Sequence, residues 1–125
     1  MATNRKRAAA DYLAVPVTNP TTPASGDPVR FGNITGVALT AKGDGGNAAA
    51  DTTVDFSPAV YDLSVKAVND SGNSAVAVGD KLYYDAAETP DEINKDSTAG
   101  KAFGYALETI TAGASDTIKV GVAAL

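Results

Sequence analysis

The chain of 125 residues contains no cysteine, no histidine and no tryptophan. Without cysteine there is no disulfide and no thiolate metal site. Without histidine the commonest general base and the commonest metal ligand are absent. The usual nucleophile–base pairs of hydrolytic enzymes therefore cannot be assembled. The nearest paired carboxylates, Asp80 with Asp85 and Glu88 with Glu92, lie beside turns, where acidic side chains are usually solvated. We expect a protein that is not an enzyme and that binds no cofactor and no metal.

Bulky apolar side chains are also scarce. The chain has three Phe and five Tyr, and most of its hydrophobic residues are Ala and Val. The length predicts about one domain, and a fully buried Val or Leu stabilises a fold by only about 1.5–3 kcal/mol. A small domain also buries a smaller share of its surface than a large one. This thin core predicts that a partner surface or self-association adds to the stability.

Charge is not evenly spread along the chain. The net charge is −5, but residues 1–7 carry Arg5, Lys6 and Arg7 and no acid, so residues 8–125 carry −8. An acidic protein of this kind is not expected to bind nucleic acid, because phosphate contacts need a basic face. No run approaches the roughly 18 apolar residues of a membrane span, so we expect no membrane partner. A basic tip on an acidic body indicates a tail that docks where the body does not.

Residues 1–24 are predicted to form an extended N-terminal arm, and residues 25–125 a β-rich domain. The apolar run Tyr12 to Val17 contains Pro16, which lacks a ladder donor, so the run is an edge strand or an extended arm rather than a central strand. Prolines, threonines and an asparagine follow and predict an extended connector.

The body reads as short strands. Tyr61, Leu63, Val65 and Ala67 alternate with polar residues, which is the period of a half-buried strand. Clusters of Gly, Pro, Asn and Asp separate similar runs, and no segment has a helical period. The pattern predicts an all-β protein, a small barrel or sandwich of about eight short strands.

One unit occurs twice along the chain. A Gly-Asp pair opens a short strand at Gly26-Asp27 and again at Gly79-Asp80, and each strand is followed by a Gly-x-Ala-Leu run, at residues 36–39 and 104–107. Self-similarity of this kind constrains architecture, so we expect the two copies to form equivalent β-structure.

Three tyrosines are candidates for a surface. Tyr83, Tyr84 and Tyr105 lie in the two strands of the second copy of this unit. Packing in the core or at a subunit interface is the interpretation that we favour. Stacking against sugars, in a carbohydrate-binding or adhesion module displayed on a particle surface, is the alternative.

The order and spacing of several motifs resemble a known family. These motifs are a Met-Ala-Thr-Asn-Arg start, an extended Pro/Thr segment, and the runs Ser25-Gly26-Asp27-Pro28-Val29, Gly36-Val37-Ala38, Gly79-Asp80-Lys81-Leu82-Tyr83, Gly104-Tyr105-Ala106-Leu107 and Ile118-Lys119-Val120-Gly121-Val122. Together they resemble the small capsid decoration, or cement, proteins of tailed bacteriophages, and the resemblance covers nearly the full chain.

This resemblance implies a β-rich structural protein on the outer capsid surface of the virion, made in the host cytoplasm. Its partners would be the major capsid protein and further copies of itself in a homotrimer, and it would stabilise the contacts between capsomers. The tyrosines named above would then be candidates for the subunit interface. The capsid-binding arm would include Arg5, Lys6, Arg7, Tyr12, Leu13, Val15 and Val17.

Overall fold

The computed structural model describes residues 12–55, 58–88 and 90–122, and these form β-strands and no helix. The all-β prediction is therefore confirmed. The strands are β1 (Tyr12–Val15), β2 (Pro28–Phe31), β3 (Ile34–Ala38), β4 (Thr52–Asp55), β5 (Ala59–Lys66), β6 (Val68–Asn69), β7 (Gly72–Asn73), β8 (Lys81–Tyr84), β9 (Ile93–Asn94), β10 (Lys101–Ala106) and β11 (Ser115–Val122).

The strands form two main antiparallel sheets. The first has the order β1-β4-β3-β2, and the second has the order β5-β11-β10-β8-β9. In the second sheet the two terminal strands, β5 and β9, also contact each other, so the sheet curls into a half-barrel. Strands β6 and β7, of two residues each, form a hairpin. The cluster of Asn, Asp, Ser and Gly in residues 69–74 predicts only a turn there.

Alternation along β5 and β11 separates the two faces of the second sheet. Leu63 pairs with Ile118, and both are buried, whereas Asp62 pairs with Lys119, and both are exposed. Successive side chains of a strand point to opposite faces, so the apolar set is buried together. We call the face of Leu63 the inner face and the face of Asp62 the outer face.

The core has two parts. The larger cluster lies on the inner face of the second sheet, and the smaller one belongs to the first sheet and contains Val17, Val29, Ala38 and Val54. Val37 of the first sheet is fully buried in the larger cluster. In the same strand, the buried Thr35 Oγ1 donates a hydrogen bond to the Ala102 carbonyl at 2.8 Å, so β3 joins the two sheets.

The predicted repeat is confirmed at its turns. Gly26 N donates to the Ala38 carbonyl at 2.7 Å, and Gly79 N donates to the Ala106 carbonyl at 2.8 Å. Both glycines have φ near +90° (91° and 93°), a conformation that glycine adopts without steric cost. In each turn the aspartate accepts a hydrogen bond at 2.9 Å from the amide three residues before it, Ala24 N to Asp27 and Ala77 N to Asp80.

The repeat extends from the turns to the sheets. Strands β1, β2, β3 and β4 of the first half correspond to β5, β8, β10 and β11 of the second, in the same chain order and with the same neighbours. The registers also agree, as three pairs from each half show. In the first half Val29 pairs with Gly36, Ala38 with Val54, and Leu13 with Val54. The corresponding pairs of the second half are Leu82 with Gly104, Ala106 with Val120, and Tyr61 with Val120. The four-stranded sheet thus has the same strand order as β5-β11-β10-β8 of the half-barrel.

The described part of the segment predicted as an arm begins with an edge strand. β1 is the terminal strand of the first sheet and ends directly before Pro16, as the missing donor of proline predicts. Beyond Pro16 the chain stays on the body, because Val17 and Pro23 are buried and Asn19 pairs with Arg30. The division at residue 24 stays a prediction, and residues 1–11 lie outside the described part of the chain.

Candidate interaction surfaces

An apolar groove lies on the outer face of the second sheet. Its centre is a row across three strands, in which Val60 of β5 pairs with Gly121 of β11, and Gly121 pairs with Tyr105 of β10. Val60 is 57% exposed and Tyr105 45%. The groove has a volume of about 410 Å³, and we call it the outer groove; its walls are Pro58, Ala59, Val60, Tyr105, Leu107, Gly121 and Val122.

Gly121 forms the floor of the outer groove. Gly121 has no side chain, so the ridge that a larger residue would make between Val60 and Tyr105 is absent. Behind it lies Gly104, where an added Cβ would lie well under 3.0 Å from the Gly121 carbonyl oxygen. Strands β10 and β11 therefore approach each other too closely at this point for any residue but glycine at position 104.

The three candidate tyrosines lie in different environments. Tyr84 is 1% exposed on the inner face, and its ring centroid is 6.5 Å from that of Phe103. Burial, with a smaller contribution from the charge of Glu92, raises the pKa of Tyr84 to about 12. Tyr84 is thus a core residue, which corrects its place among the candidates for a subunit interface. Only Tyr105 lies in the outer groove.

Tyr83 is half-buried, and its ring faces a cation. Lys81 Nζ lies 5.6 Å from the ring centroid of Tyr83, within the range of a cation–π interaction. The ammonium group occupies the position that a sugar ring would need for stacking on this face. The structure therefore does not assemble the three tyrosines into one binding platform.

The predicted arm residues also divide into two groups. Tyr12 and Leu13 of β1 are 50% and 45% exposed. Val15 is half-buried and packs against the smaller core cluster, to which the buried Val17 belongs. The basic residues Arg5, Lys6 and Arg7 lie outside the described residues. Of the apolar residues predicted to contact the capsid, Tyr12 and Leu13 are therefore accessible, whereas Val17 is buried in the smaller core cluster.

One of the acidic pairs considered from the sequence, Asp80 with Asp85, has a structural role. Asp80 caps its turn and forms an ion pair with Lys95 at 3.1 Å. The amide of Ala77, and then Lys95, hold the pKa of Asp80 below its usual range. Asp85 is buried, and its carboxylate accepts a hydrogen bond from Ala87 N at 3.0 Å. Both carboxylates stabilise turns, but Asp85 is buried, whereas the sequence predicts a solvated side chain.

A second, polar cleft of about 380 Å³ lies beside the edge of β5, where Asp27, Asp62 and Glu92 contribute three carboxylates. In residues 12–55, 58–88 and 90–122, no group of three or more acidic side chains is arranged to hold a metal ion. The same residues contain no helix long and apolar enough to cross a membrane.

Sequence reasoning identified Tyr105 but missed the rest of the outer groove. A signal was present in β5, because Val60 is apolar yet lies in phase with Asp62 and Ser64 on the polar side of the strand. An apolar residue that falls in the polar series of an alternating strand indicates an exposed apolar position. That Gly121 lies beside it across the sheet depends on the register, which the local sequence does not show.

Comparison with known proteins gives one result. The family model described as phage cement protein matches residues 9–122, which is nearly the whole chain and includes every described strand. No curated protein and no solved structure matches the chain. The match extends over both copies of the repeat, and the chain therefore belongs to the phage cement protein family.

Proposed function

We propose that this protein binds the outer surface of the expanded phage capsid and stabilises the contacts between capsomers, without catalysing a reaction. The observation that carries the proposal is the family match over residues 9–122, since the family name indicates a structural role on the capsid. The partner is the major capsid protein, and the protein is a component of the virion.

The contact with the capsid involves the basic residues Arg5, Lys6 and Arg7, followed by Tyr12 and Leu13. Two features support this assignment. The first is the charge of +3 in residues 1–7 beside a body of −8, which separates the tip electrostatically from the rest. The second is the position of β1 at the end of its sheet, with two exposed apolar side chains. A terminal strand can pair with a strand of another protein, and its side chains then supply specificity.

The active form in this proposal is a homotrimer. Three weak arm contacts joined in one particle bind far more tightly than one, because the second and third contacts form at a high effective concentration. Self-association also covers apolar surface that the small core leaves exposed, including the outer groove. An adhesion function through the tyrosines has less support, because Tyr84 is buried and Lys81 lies over the ring of Tyr83.

The experiment is co-sedimentation with emptied, undecorated heads of the source phage. Three proteins are compared: the full chain, a form without residues 1–11, and the triple variant Arg5→Gln, Lys6→Gln, Arg7→Gln. Removal of all of residues 1–24 is avoided, because it would delete β1 and the buried Val17 and so damage the smaller core cluster. We expect saturable binding of the full chain and a large loss in both variants.

A matched control separates the effect of losing charge in residues 1–7 from the effect of a changed net charge. The body variant Lys42→Gln, Lys66→Gln, Lys101→Gln changes the net charge by the same amount and leaves residues 1–11 intact. We expect it to bind heads like the full chain. If the form without residues 1–11 sediments with heads as well as the full chain does, the arm assignment is wrong. If the full chain itself does not bind, the capsid role is wrong.

A further inference from the structure

We infer that the outer groove is the surface through which one copy of this protein contacts a second copy. The inference deepens the proposed function, because it gives the self-association of that proposal a location. At the centre of the groove the two halves of the fold differ in exposure, since Tyr105 is 45% exposed and its counterpart Val37 is fully buried.

The equivalent row in the first half is covered within the chain at one position, Val37, whereas its edge residue Tyr12 is 50% exposed. There Tyr12 pairs with Asp55, and Asp55 pairs with Val37, which matches Val60, Gly121 and Tyr105 of the second half. Val37 is fully buried, because the second half of the chain packs over it. Its counterpart Tyr105 is 45% exposed. The fold therefore covers the Val37 position with its own second half, and the equivalent position, Tyr105, is left for another chain.

The charges around the outer groove suit a contact between identical acidic subunits. Lys81 is the register partner of Tyr105, and Lys119 lies two residues before Gly121. Asp62 pairs with Lys119, and Glu108 accepts a hydrogen bond from Lys119 N at 2.7 Å. The rim thus contains two lysines and two acids, although the chain as a whole has a net charge of −5. Two copies can meet here without the repulsion that their net charge causes elsewhere.

The composition of the outer face suits such a contact. A stable interface buries about 800 Å² on each partner, with an apolar centre and a polar rim. Tyr105, Val60 and Leu107 supply the apolar centre, and the exposed polar side chains of β5 and β11 on the same face supply the rim. Tyrosine at the centre of an apolar patch is among the commonest residues on which binding depends. We therefore expect Tyr105 to contribute most.

The test is sedimentation equilibrium of the full chain and two variants. The groove variant is Tyr105→Ser, Leu107→Ser. Its control is Leu39→Ser, because Leu39 is the counterpart of Leu107 in the repeat, is 39% exposed against 41%, and lies outside the groove. We expect the full chain to associate, the groove variant to have a dissociation constant raised about tenfold or more, and the control to stay within about twofold. Thermal unfolding confirms that each variant is folded.

Two results would overturn the inference: a full chain that stays monomeric at high micromolar concentration, and a groove variant that associates like the full chain. If the groove variant associates normally but no longer binds heads, the groove faces the capsid and the inference is also wrong. Loss of head binding only in the arm variants leaves it intact. A spin label supplies an independent readout, since the chain has no cysteine of its own. A label at Val60→Cys should be immobilised on association, and one at Leu39→Cys should not.

Discussion

The substitution Gly104→Ala tests the close approach of β10 and β11. Gly104 pairs with Val122, and beside this pair Tyr105 pairs with Gly121. A Cβ at residue 104 would meet three backbone atoms: the Gly121 carbonyl oxygen at well under 3.0 Å, and the Gly121 carbonyl carbon and the Val122 Cα at 3.1 Å. Real Cβ atoms do not show the first of these distances, so the strands must separate.

The magnitude follows from what would have to move. Overpacking of a core costs about 1–3 kcal/mol and occasionally more, and the lower values apply where a side chain can rotate away. Here the obstacle is the backbone of β11, which also pairs with all eight residues of β5. We therefore expect a loss of about 3 kcal/mol or more in the free energy of unfolding. For a domain of this size that corresponds to a Tm lower by about 10 °C.

Gly121→Ala is the matched control, because the two glycines are one register pair apart. A Cβ at Gly121 would meet only Leu107 Cδ1 at 3.8 Å and the Tyr105 carbonyl oxygen at 3.9 Å, which are ordinary contacts. Alanine also restricts the unfolded chain, which stabilises by about 0.4–1 kcal/mol where the native conformation tolerates it. We expect Gly121→Ala to change stability by less than about 1 kcal/mol.

Urea denaturation with a two-state analysis measures both variants, with thermal unfolding as a second probe. The reasoning is refuted if Gly104→Ala unfolds within about 1 kcal/mol of the parent protein, or if the two alanine variants lose equal stability. Either result would mean that the strands are not as closely spaced at residue 104 as the structure shows.

Three further predictions concern hydrogen bonds and titration. Thr35→Val should lower the free energy of unfolding by about 1 kcal/mol, because it removes the hydrogen bond to Ala102 between the sheets; an unchanged urea midpoint would contradict this. Asp80→Asn should destabilise at neutral pH, and the difference from the parent should vanish in acid. Folding lowers the pKa of Asp80, so the stability that its carboxylate contributes is complete above the pKa of the unfolded chain and is lost as the pH falls through the pKa of the folded chain. A stability difference between Asp80→Asn and the parent that persists in acid would be inconsistent with this. Above pH 10 the protein should lose stability as the pH rises towards 12. Burial raises the pKa of Tyr84 from about 10 to about 12, and burial together with the hydrogen bond to Asp55 does the same for Tyr61. The unfolded chain therefore loses these protons at a lower pH than the folded chain, and the free energy of unfolding falls. The variant Tyr61→Phe should lose less stability over this pH range.

Several features could be predicted from local sequence because their causes are local. The Gly-Asp turns require a residue that accepts positive φ and a carboxylate within reach of the amide three residues back, and both are visible in the sequence at Gly26-Asp27 and Gly79-Asp80. Alternation in residues 61–67 predicts the strand and the side of it that is buried. Proline at residue 16 predicts an edge strand or an extended arm, and the structure shows an edge strand that ends at Val15.

Other features depend on which elements pack together. Tyr83 and Tyr84 are neighbours in β8, yet one is half-buried and the other is in the core, because only one face of the strand is covered. Val37 and Tyr105 occupy equivalent positions in the two halves, and the second half covers the first of them and leaves the second exposed. Val17 belongs to a segment with the composition of an arm, but it is buried because the first sheet presents an apolar face to it.

The all-β class, the repeated unit and the resemblance to phage cement proteins follow from local sequence, because strand period, turn chemistry and motif order are properties of neighbouring residues. Long-range packing sets the burial of Val37 and the exposure of Tyr105, places Tyr84 in the core, and buries Val17 of the N-terminal segment. These depend on burial, and burial is set by contacts between residues far apart in the chain, which no local pattern specifies.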